Sequence, residues 1–164
     1  MNTTLKNLKE AFAGESQANR KYLAYANKAD LEGYPFVAKL FRATAEAETL
    51  HAMNHFKNMG AIKSTQENLQ DAIEGENYEH QSMYPRMIQE AEEESQEASK
   101  RGFTLAMEAE KVHEERYQEA LRTIQDKQDR NVFLCNVCGY IHFDEKPPIC
   151  PICGAKALAF KNIE

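Results

Sequence analysis

Cysteine is confined to one short stretch of the chain, and several common functional signals are missing. No cysteine precedes Cys135, and Met1–Thr4 do not open a signal peptide. No apolar run approaches the length of a membrane span, about 18 residues. Basic runs are absent and the net charge is -6, which argues against nucleic acid and membrane surfaces as partners. A Gly-x-Gly-x-x-Gly motif is also missing, so no nicotinamide or flavin site is expected. These absences predict a cytoplasmic chain.

One motif, Phe-x-x-x-x-Glu-Ala-Glu-x-x-His, occurs twice in the chain. Its copies span residues 41–51 and 103–113 and lie 62 residues apart, which indicates an internal duplication. Residues three apart share one face of a helix, so each copy can direct a carboxylate and an imidazole into the same space. Bundles of four helices that bind two metal ions carry this Glu-x-x-His pair on two helices and one Glu on each of the others. The duplication therefore predicts a dimetal site.

The two further carboxylates are present and in register. Glu15 corresponds to Glu76 at an offset of 61, whereas Tyr22 corresponds to Tyr84 at an offset of 62, so one residue has been added between these landmarks. Glu79 lies three residues after Glu76 and faces the same way on a helix, but it has no acidic counterpart in the first half. Glu79 is therefore a carboxylate beyond the set that the two halves share.

The first 128 residues are rich in helix-forming residues, with an apolar period of 3.6. Thr4 is the expected N-cap of the first helix, and Ser64 begins a capping-box pattern before the third. Pro85 should kink the third helix, because it cannot donate the helical hydrogen bond. The repeat places the next break near Ser95, opposite Gly33. The predicted helices span about 4–31, 35–59 and 66–94, with a fourth that runs to about 128.

The four cysteines form two Cys-x-x-Cys pairs separated by eleven residues: Cys135, Cys138, Cys150 and Cys153. This spacing indicates a metal site with four thiolate ligands, and a tetrahedral thiolate site suits zinc and iron alike. So short a tail is too small for a core of its own, so a metal must supply folding energy there. We expect two domains, residues 1–130 and residues 131–164.

A Glu on a helix is ordinarily a solvated surface charge. The five carboxylates of the expected site differ, because each replaces an apolar residue on a core-facing stripe. Burying one unpaired carboxylate costs several kcal/mol, so five together require compensating cations. Oxygen-rich ligands with only two imidazoles favour iron or manganese.

The segments GESQANRKY, EAExxH in two copies, GENYEHQSMYP and the cysteine tail together resemble the rubrerythrin family over essentially the whole chain. The resemblance implies a mainly α fold, a ferritin-like four-helix bundle followed by a small rubredoxin-like FeS4 domain. It also implies three iron ions per subunit, with zinc possible at the cysteines of recombinant protein. The implied di-iron ligands are Glu15, Glu48, His51, Glu76, Glu79, Glu110 and His113.

The resemblance further implies individual roles. Glu48 and Glu110 would bridge the two irons, and Glu79 and His51 would exchange as ligands of one iron on reduction. Tyr22 and Tyr84 are either core tyrosines or hydrogen-bond donors that orient a ligand carboxylate. The remaining histidines, His55, His80 and His142, are interpreted as structural or surface residues.

The leading functional hypothesis is a peroxidase that reduces hydrogen peroxide to water at the di-iron site. Electrons would arrive through the FeS4 centre from rubredoxin, ferredoxin or an NAD(P)H-dependent reductase. A homodimer is expected, with electrons crossing between subunits, because more than about 20 Å of helix separates His113 from the tail within one chain. One alternative is a ferritin-like iron oxidation and storage protein, to which an electron inlet would be useless. Another is a zinc-ribbon interaction module, which leaves the five carboxylates unexplained.

Overall fold

The computed structural model describes residues 2–164 and is mainly helical. It contains four long helical segments followed by a small domain of strands that carries the four cysteines, as the sequence predicts. The chain divides into two compact units, of which the first ends at Lys63 and the second spans Ser64–Glu164. The elements are α1 (Thr3–Leu31), α2 (Pro35–Asn58), α3 (Thr65–Tyr78), a π-helix (Glu79–Met83), α4 (Tyr84–Glu93), α5 (Glu97–Arg122), β1 (Val132–Cys135), β2 (Ile141–Phe143) and β3 (Phe160–Ile163).

The first unit is an antiparallel hairpin of α1 and α2. Asn2 caps α1, because its side chain accepts the N–H of Leu5 at 2.8 Å, so the expectation that Thr4 is the N-cap was wrong by two residues. Gly33 turns the chain with a φ of 81°, and Pro35 begins α2, where its missing N–H is not needed. The buried residues of this pair are all alanines: Ala26, Ala29, Ala38, Ala45 and Ala52.

Large apolar side chains of the first unit remain accessible to solvent. Leu31 is 85 % exposed, Phe36 is 76 % exposed and Leu50 is 72 % exposed, while Leu40 and Met53 are also more than half exposed. Small residues between α1 and α2 let the helices approach closely, but they leave the larger side chains on the outside. The hairpin therefore presents more apolar surface than single scattered residues would give.

In the second unit, α3, the π-helix and α4 together pack against α5. Ser64 and Glu67 form the predicted capping box at the start of α3. The irregularity expected at Pro85 takes the form of the π-helix that directly precedes it. The helical segment ends near Ser95, as predicted, and Ser95 has a φ of 57°. Helix α5 ends at Arg122, earlier than the predicted 128.

The cysteine-bearing tail folds into a three-stranded antiparallel sheet with the order β2-β1-β3. Its buried cluster consists of Phe133, Cys135, Tyr140, Cys150 and Phe160. Val112 of α5 packs against this cluster, so the tail shares its core with the helix rather than standing alone. None of the helices in the described residues is long and apolar enough to cross a membrane.

Ser95 provides a test of the helical repeat. It adopts the left-handed conformation that its counterpart Gly33 also adopts, and this conformation is unfavourable for a residue with a Cβ. Ser95→Gly should therefore raise the free energy of unfolding by about 0.5–1 kcal/mol, measured by urea denaturation. Ser99→Gly, inside α5, is the matched control and should lower it by about 0.5 kcal/mol. Destabilisation by Ser95→Gly would contradict the left-handed conformation assigned to Ser95.

Candidate metal centres

The four cysteine sulfurs converge on one point at the end of β1. Cys135 Sγ lies 3.7 Å from Cys153 Sγ, and Cys138 Sγ lies 3.6 Å from Cys150 Sγ. A disulfide would bring the sulfurs to about 2.05 Å. A tetrahedral ion with bonds of about 2.3 Å spaces its sulfur ligands by about 3.8 Å. The thiols therefore suit a metal ion and not a pair of disulfides.

Each Cys-x-x-Cys pair forms the same tight turn. The N–H of Gly139 donates to the carbonyl of Cys135 at 2.9 Å, and the N–H of Gly154 donates to that of Cys150 at 3.0 Å. Both glycines have positive φ, 84° and 73°, which explains why glycine follows each second cysteine. Burial raises the pKa of the Cys138 thiol, so this thiol keeps its proton until a metal ion binds. Metal binding to the four cysteines is therefore expected to release protons.

The first unit contains a carboxylate and imidazole cluster formed by Glu15 of α1 with Glu48 and His51 of α2. One ligand atom from each residue lies within 4.8 Å of the others. His51 Nδ1 is 3.0 Å from Glu48 Oε2 and 3.9 Å from Glu15 Oε1. The i to i+3 spacing on α2 brings Glu48 and His51 together, as the sequence predicts.

The second unit contains the repeat-related cluster, formed by Glu76 of α3 with Glu110 and His113 of α5. His113 Nδ1 is 2.5 Å from Glu110 Oε2 and 3.5 Å from Glu76 Oε2. The other ring nitrogen, Nε2, lies 2.8 Å from the carbonyl oxygen of Gly139. Because a carbonyl can only accept, Nε2 carries the hydrogen, and Nδ1 is the atom turned toward the carboxylates.

Glu79 lies close to the second cluster without joining it. Burial raises the pKa of its carboxyl group, and the nearby charge of Glu110 acts in the same direction, while His113 opposes both. Six of the seven predicted carboxylate and imidazole ligands thus fall into two groups of three. The seventh is within electrostatic reach of one of those groups.

Charge crowding dominates the second cluster. Burial, followed by the hydrogen bond and the charge of Glu110, raises the pKa of Glu76 to about 7. The hydrogen bond from His113 holds the pKa of Glu110 below its usual value. Burial acts to lower the pKa of His113, but Glu110 and the Gly139 carbonyl raise it to about 9. One carboxyl group, that of Glu76, and the imidazole of His113 thus hold protons that a bound cation would replace, which fits the donor set to a divalent metal.

Tyr22 and Tyr84 occupy equivalent places in the two halves. Tyr22 stacks on Phe41 with ring centroids 6.1 Å apart, and Tyr84 contacts Phe103 at 6.2 Å. Burial, with the charges of Glu110, Glu79 and Glu76, raises the pKa of Tyr84. Tyr84 therefore lies within electrostatic reach of the second cluster as well as in an aromatic contact.

Sequence reasoning missed two features of the second unit. Tyr117 of α5 has its pKa raised by burial and by the charges of Glu76 and Glu110. His80, interpreted from the sequence as a structural or surface residue, is structural, and the partner that the sequence did not reveal is Glu114, whose Oε2 lies 2.5 Å from His80 Nε2. Tyr117 and Glu114 are not repeated in the first half, where His55 and Ala52 take their places. The duplication therefore gave no signal for either residue.

The cysteine domain docks directly on α5, which corrects an expectation from helix length. Gly139, the residue after Cys138, bonds to His113, so the tail folds back along the helix instead of lying more than 20 Å away. Arg130 strengthens this docking, because it bonds to Glu119 of α5 at 2.6 Å and to Asp144 through two nitrogens. Its guanidinium also lies over the ring of Phe143 at 4.5 Å.

His142 lies at the edge of this domain and is partly exposed. Its Nδ1 is 2.9 Å from the hydroxyl of the buried Tyr140, and the two rings are 5.9 Å apart. It takes no part in the cysteine cluster. His142 therefore has a structural contact, consistent with its absence from the cysteine spacing pattern.

The electrostatics of Glu76 predict how metal-free protein responds to pH. A carboxyl group with a raised folded-state pKa destabilises the fold as pH rises from about 4.5 to about 7, because the unfolded chain ionises first. In metal-free protein, Glu76→Gln should raise the free energy of unfolding at pH 7 by about 1–2 kcal/mol after solvent screening, and change it little at pH 4.5. Chemical denaturation at both pH values measures this. Glu74→Gln, an exposed neighbour on α3, is the control, and equal effects of the two substitutions would contradict the prediction.

Comparison with known proteins places the chain in a family. A family model described as rubrerythrin matches residues 6–121, and one described as the rubredoxin-like domain of rubrerythrin matches residues 133–161. Nigerythrin of Nitratidesulfovibrio vulgaris is 39 % identical over 165 residues, which cover 92 % of this chain and 82 % of that protein. Rubrerythrin-2 of Clostridium acetobutylicum is 36 % identical over 171 residues, which cover 94 % and 93 %.

The solved structures agree with the sequence comparison. A structure of nigerythrin in a mixed-valence state superposes with a TM-score of 0.61 at 38 % identity, covering 99 % of this chain and 88 % of nigerythrin. A fully reduced, all-ferrous structure of nigerythrin matches equally well, with a TM-score of 0.61 at 37 % identity. The fold class predicted from the sequence is thereby confirmed. The chain belongs to the rubrerythrin family and carries the family's rubredoxin-like domain at its C-terminal end.

Proposed function

We propose that this protein is a peroxidase that reduces hydrogen peroxide to two waters, using two electrons and two protons. The observation that carries the proposal is the direct docking of a four-thiolate site on a carboxylate and imidazole cluster, through the hydrogen bond from His113 to Gly139. A one-electron site placed beside a site for two metals forms an electron inlet. Iron storage would have no use for such an inlet.

Three iron ions per chain fit the donor atoms. One iron would take the four cysteines, whose sulfur spacing matches tetrahedral coordination. The other two would take an oxygen-rich set that suits iron better than a thiolate-preferring metal. We assign to that pair Glu15, Glu48, His51, Glu76, Glu79, Glu110 and His113. The iron pair, when bound, supplies the two electrons that peroxide reduction consumes.

The protein's own contribution is to hold these ligands in the right orientation. The Gly139 carbonyl fixes the His113 ring so that Nδ1 faces the metal position. Tyr84 and Tyr117 keep their hydroxyl protons at neutral pH, since their pKa values are raised, and can donate hydrogen bonds toward the carboxylates. We propose the same role for Tyr22, the counterpart of Tyr84. Glu48 and Glu110, which the repeat pairs, are proposed to bridge the metals.

Electrons must come from outside the chain, because it contains no nucleotide-binding glycine motif. Rubredoxin, ferredoxin or an NAD(P)H-dependent reductase is the proposed donor. The proposed boundary between the electron-receiving domain and the helical domain lies at residue 130, between the two regions that the family models match. A cytoplasmic location is proposed from the free thiols, which a reducing compartment keeps available for metal.

The inlet can be tested by changing only the metal at the four cysteines. Protein with iron at the carboxylate clusters is prepared with either iron or zinc at the cysteines, which preserves the fold because both ions suit the site. Peroxide consumption driven by a protein donor should fall at least about 100-fold in the zinc form. Once reduced chemically, the zinc form should consume one peroxide per iron pair, and the iron form should consume up to half a peroxide more, because its FeS4 iron stores one further electron and zinc stores none.

Two outcomes would contradict the proposal. Full donor-driven turnover by the zinc form would show that electrons do not enter through the cysteine site. Failure of the chemically reduced protein to consume peroxide in either form would refute the peroxidase activity itself.

A homodimer is the proposed assembly, because a second copy would cover the exposed apolar residues of α1 and α2 such as Leu31, Phe36 and Leu50. Sedimentation should give a particle of about twice the 18.7 kDa chain mass. The alternative function, ferritin-like iron oxidation and storage, requires a hollow shell of many subunits. A particle of that size would overturn the peroxidase assignment in favour of storage.

A further inference from the structure

The π-helix at Glu79–Met83 lies where the second half of the chain contains one residue more than the first. The offset between the halves is 61 at Glu15 and Glu76 but 62 at Tyr22 and Tyr84. A single extra residue inside a helix is accommodated as one wide turn, and here the N–H of Tyr84 donates to the carbonyl of Glu79, five residues back. The insertion therefore forms a π-turn that begins at Glu79, the unmatched carboxylate.

Pro85 explains why a wide turn forms in this region. Proline has no N–H to donate, and its ring clashes with the carbonyl four residues earlier in a regular α-helix. A wider turn immediately upstream relieves the clash, although it restores no donor. Neither the insertion nor Pro85, however, decides which way the first residue of the turn points.

A half-buried hydrogen bond between His80 and Glu114 fastens the start of this turn to α5. His80 Nε2 lies 2.5 Å from Glu114 Oε2, and the two side chains are only 9 % and 15 % exposed. Glu114 also accepts from Asn77 Nδ2 at 3.2 Å and from Gln118 Nε2 at 2.8 Å. Three donors thus converge on one carboxylate, and two of them belong to the residues on either side of Tyr78 and Glu79.

The pair is absent from the half that lacks the π-turn. At an offset of 62, Ala52 takes the place of Glu114 and Phe56 takes the place of Gln118. Phe56 instead stacks on Phe12, with ring centroids 4.9 Å apart. The hydrogen-bonded group and the π-turn therefore occur together, although the two halves agree in their Glu-x-x-His pairs.

We propose that His80 and Glu114 are positioning residues that hold the π-turn in the phase that directs Glu79 toward Glu76, Glu110 and His113. This inference deepens the proposed function and rests on it for the role of Glu79 as a metal ligand. Glu114 follows His113 on α5, so the same helix supplies a ligand and the anchor for the turn that carries another. The anchor links the position of Glu79 to that of His113.

The first test needs no metal. Amide hydrogen exchange of metal-free protein is followed by mass spectrometry in the wild type, Glu114→Ala and the control Glu115→Ala, whose side chain is exposed. Glu114→Ala should speed exchange over residues 79–83 about tenfold and leave residues 66–75 of the same helical segment unchanged. Unchanged exchange at 79–83, or a uniform increase along α3 and α5, would overturn the proposal, because a general packing role predicts the uniform increase.

Substitutions at His80 test whether this residue acts through its hydrogen bond to Glu114 or only by filling space. His80→Gln retains a side-chain N–H that can reach Glu114 and should keep exchange at 79–83 near the wild-type rate. His80→Ala removes the donor and should match Glu114→Ala. Glu114→Gln preserves the volume, and it replaces Glu114→Ala in these comparisons if the alanine variant fails to fold.

The second test asks whether Glu114 acts through Glu79. The reduction potential of the iron pair is measured in the wild type, Glu79→Ala, Glu114→Ala and the double variant. Loss of a carboxylate that favours the ferric ion should raise the potential in both single variants. Adding Glu114→Ala to Glu79→Ala should then change nothing further. Independent, additive shifts would overturn the positioning role, whereas an unchanged potential in Glu79→Ala would refute the proposed ligand.

Discussion

Mutual repulsion among carboxylates is the constraint on which the rest of this structure depends. Glu76 and Glu110 approach closely enough that one of them retains a proton up to about pH 7. Such crowding is tolerated only where cations compensate it, and in the second cluster the imidazole of His113 does so, because its pKa is raised to about 9. Few large apolar side chains hold α1 and α2 together, since the buried residues of these two helices are all alanines. Metal binding and helix association are therefore parts of the same balance of free energy.

The cysteine domain depends on this helical framework for its position. Its own buried cluster has five residues, and α5 contributes Val112 to its packing. Arg130 joins Glu119 to Asp144 across this contact, and Arg116 and Arg130 both lie over Phe143. A single hydrogen bond, from His113 to Gly139, then connects the residue beside a thiolate ligand with a ligand of the carboxylate cluster. The docking sets both the distance between the sites and the orientation of the imidazole.

The duplication makes the two helical hairpins alike, and function requires that they differ. The symmetric residues form the two groups of three, while the differences are concentrated near one added residue. That residue produces the π-turn and with it the unmatched Glu79. The surrounding partners, His80 and Glu114, are also unmatched. Asymmetry in one turn of one helix thus adds to the difference that the docking of Gly139 on His113 makes between the two clusters.

The sequence by itself determined the helical segments, the capping box at Ser64, the break at Ser95 and the grouping of the Glu-x-x-His pairs. These features depend on local geometry, because helical periodicity and chain direction place residues three apart on one face. Only the tertiary structure decided that the cysteine domain folds back onto α5, that Glu114 is paired with His80, and that Gly139 orients His113. The hydrogen bonds of Glu114 with His80 and of His113 with Gly139 join residues 34 and 26 positions apart. No periodicity records such pairings, since they follow from how whole elements pack.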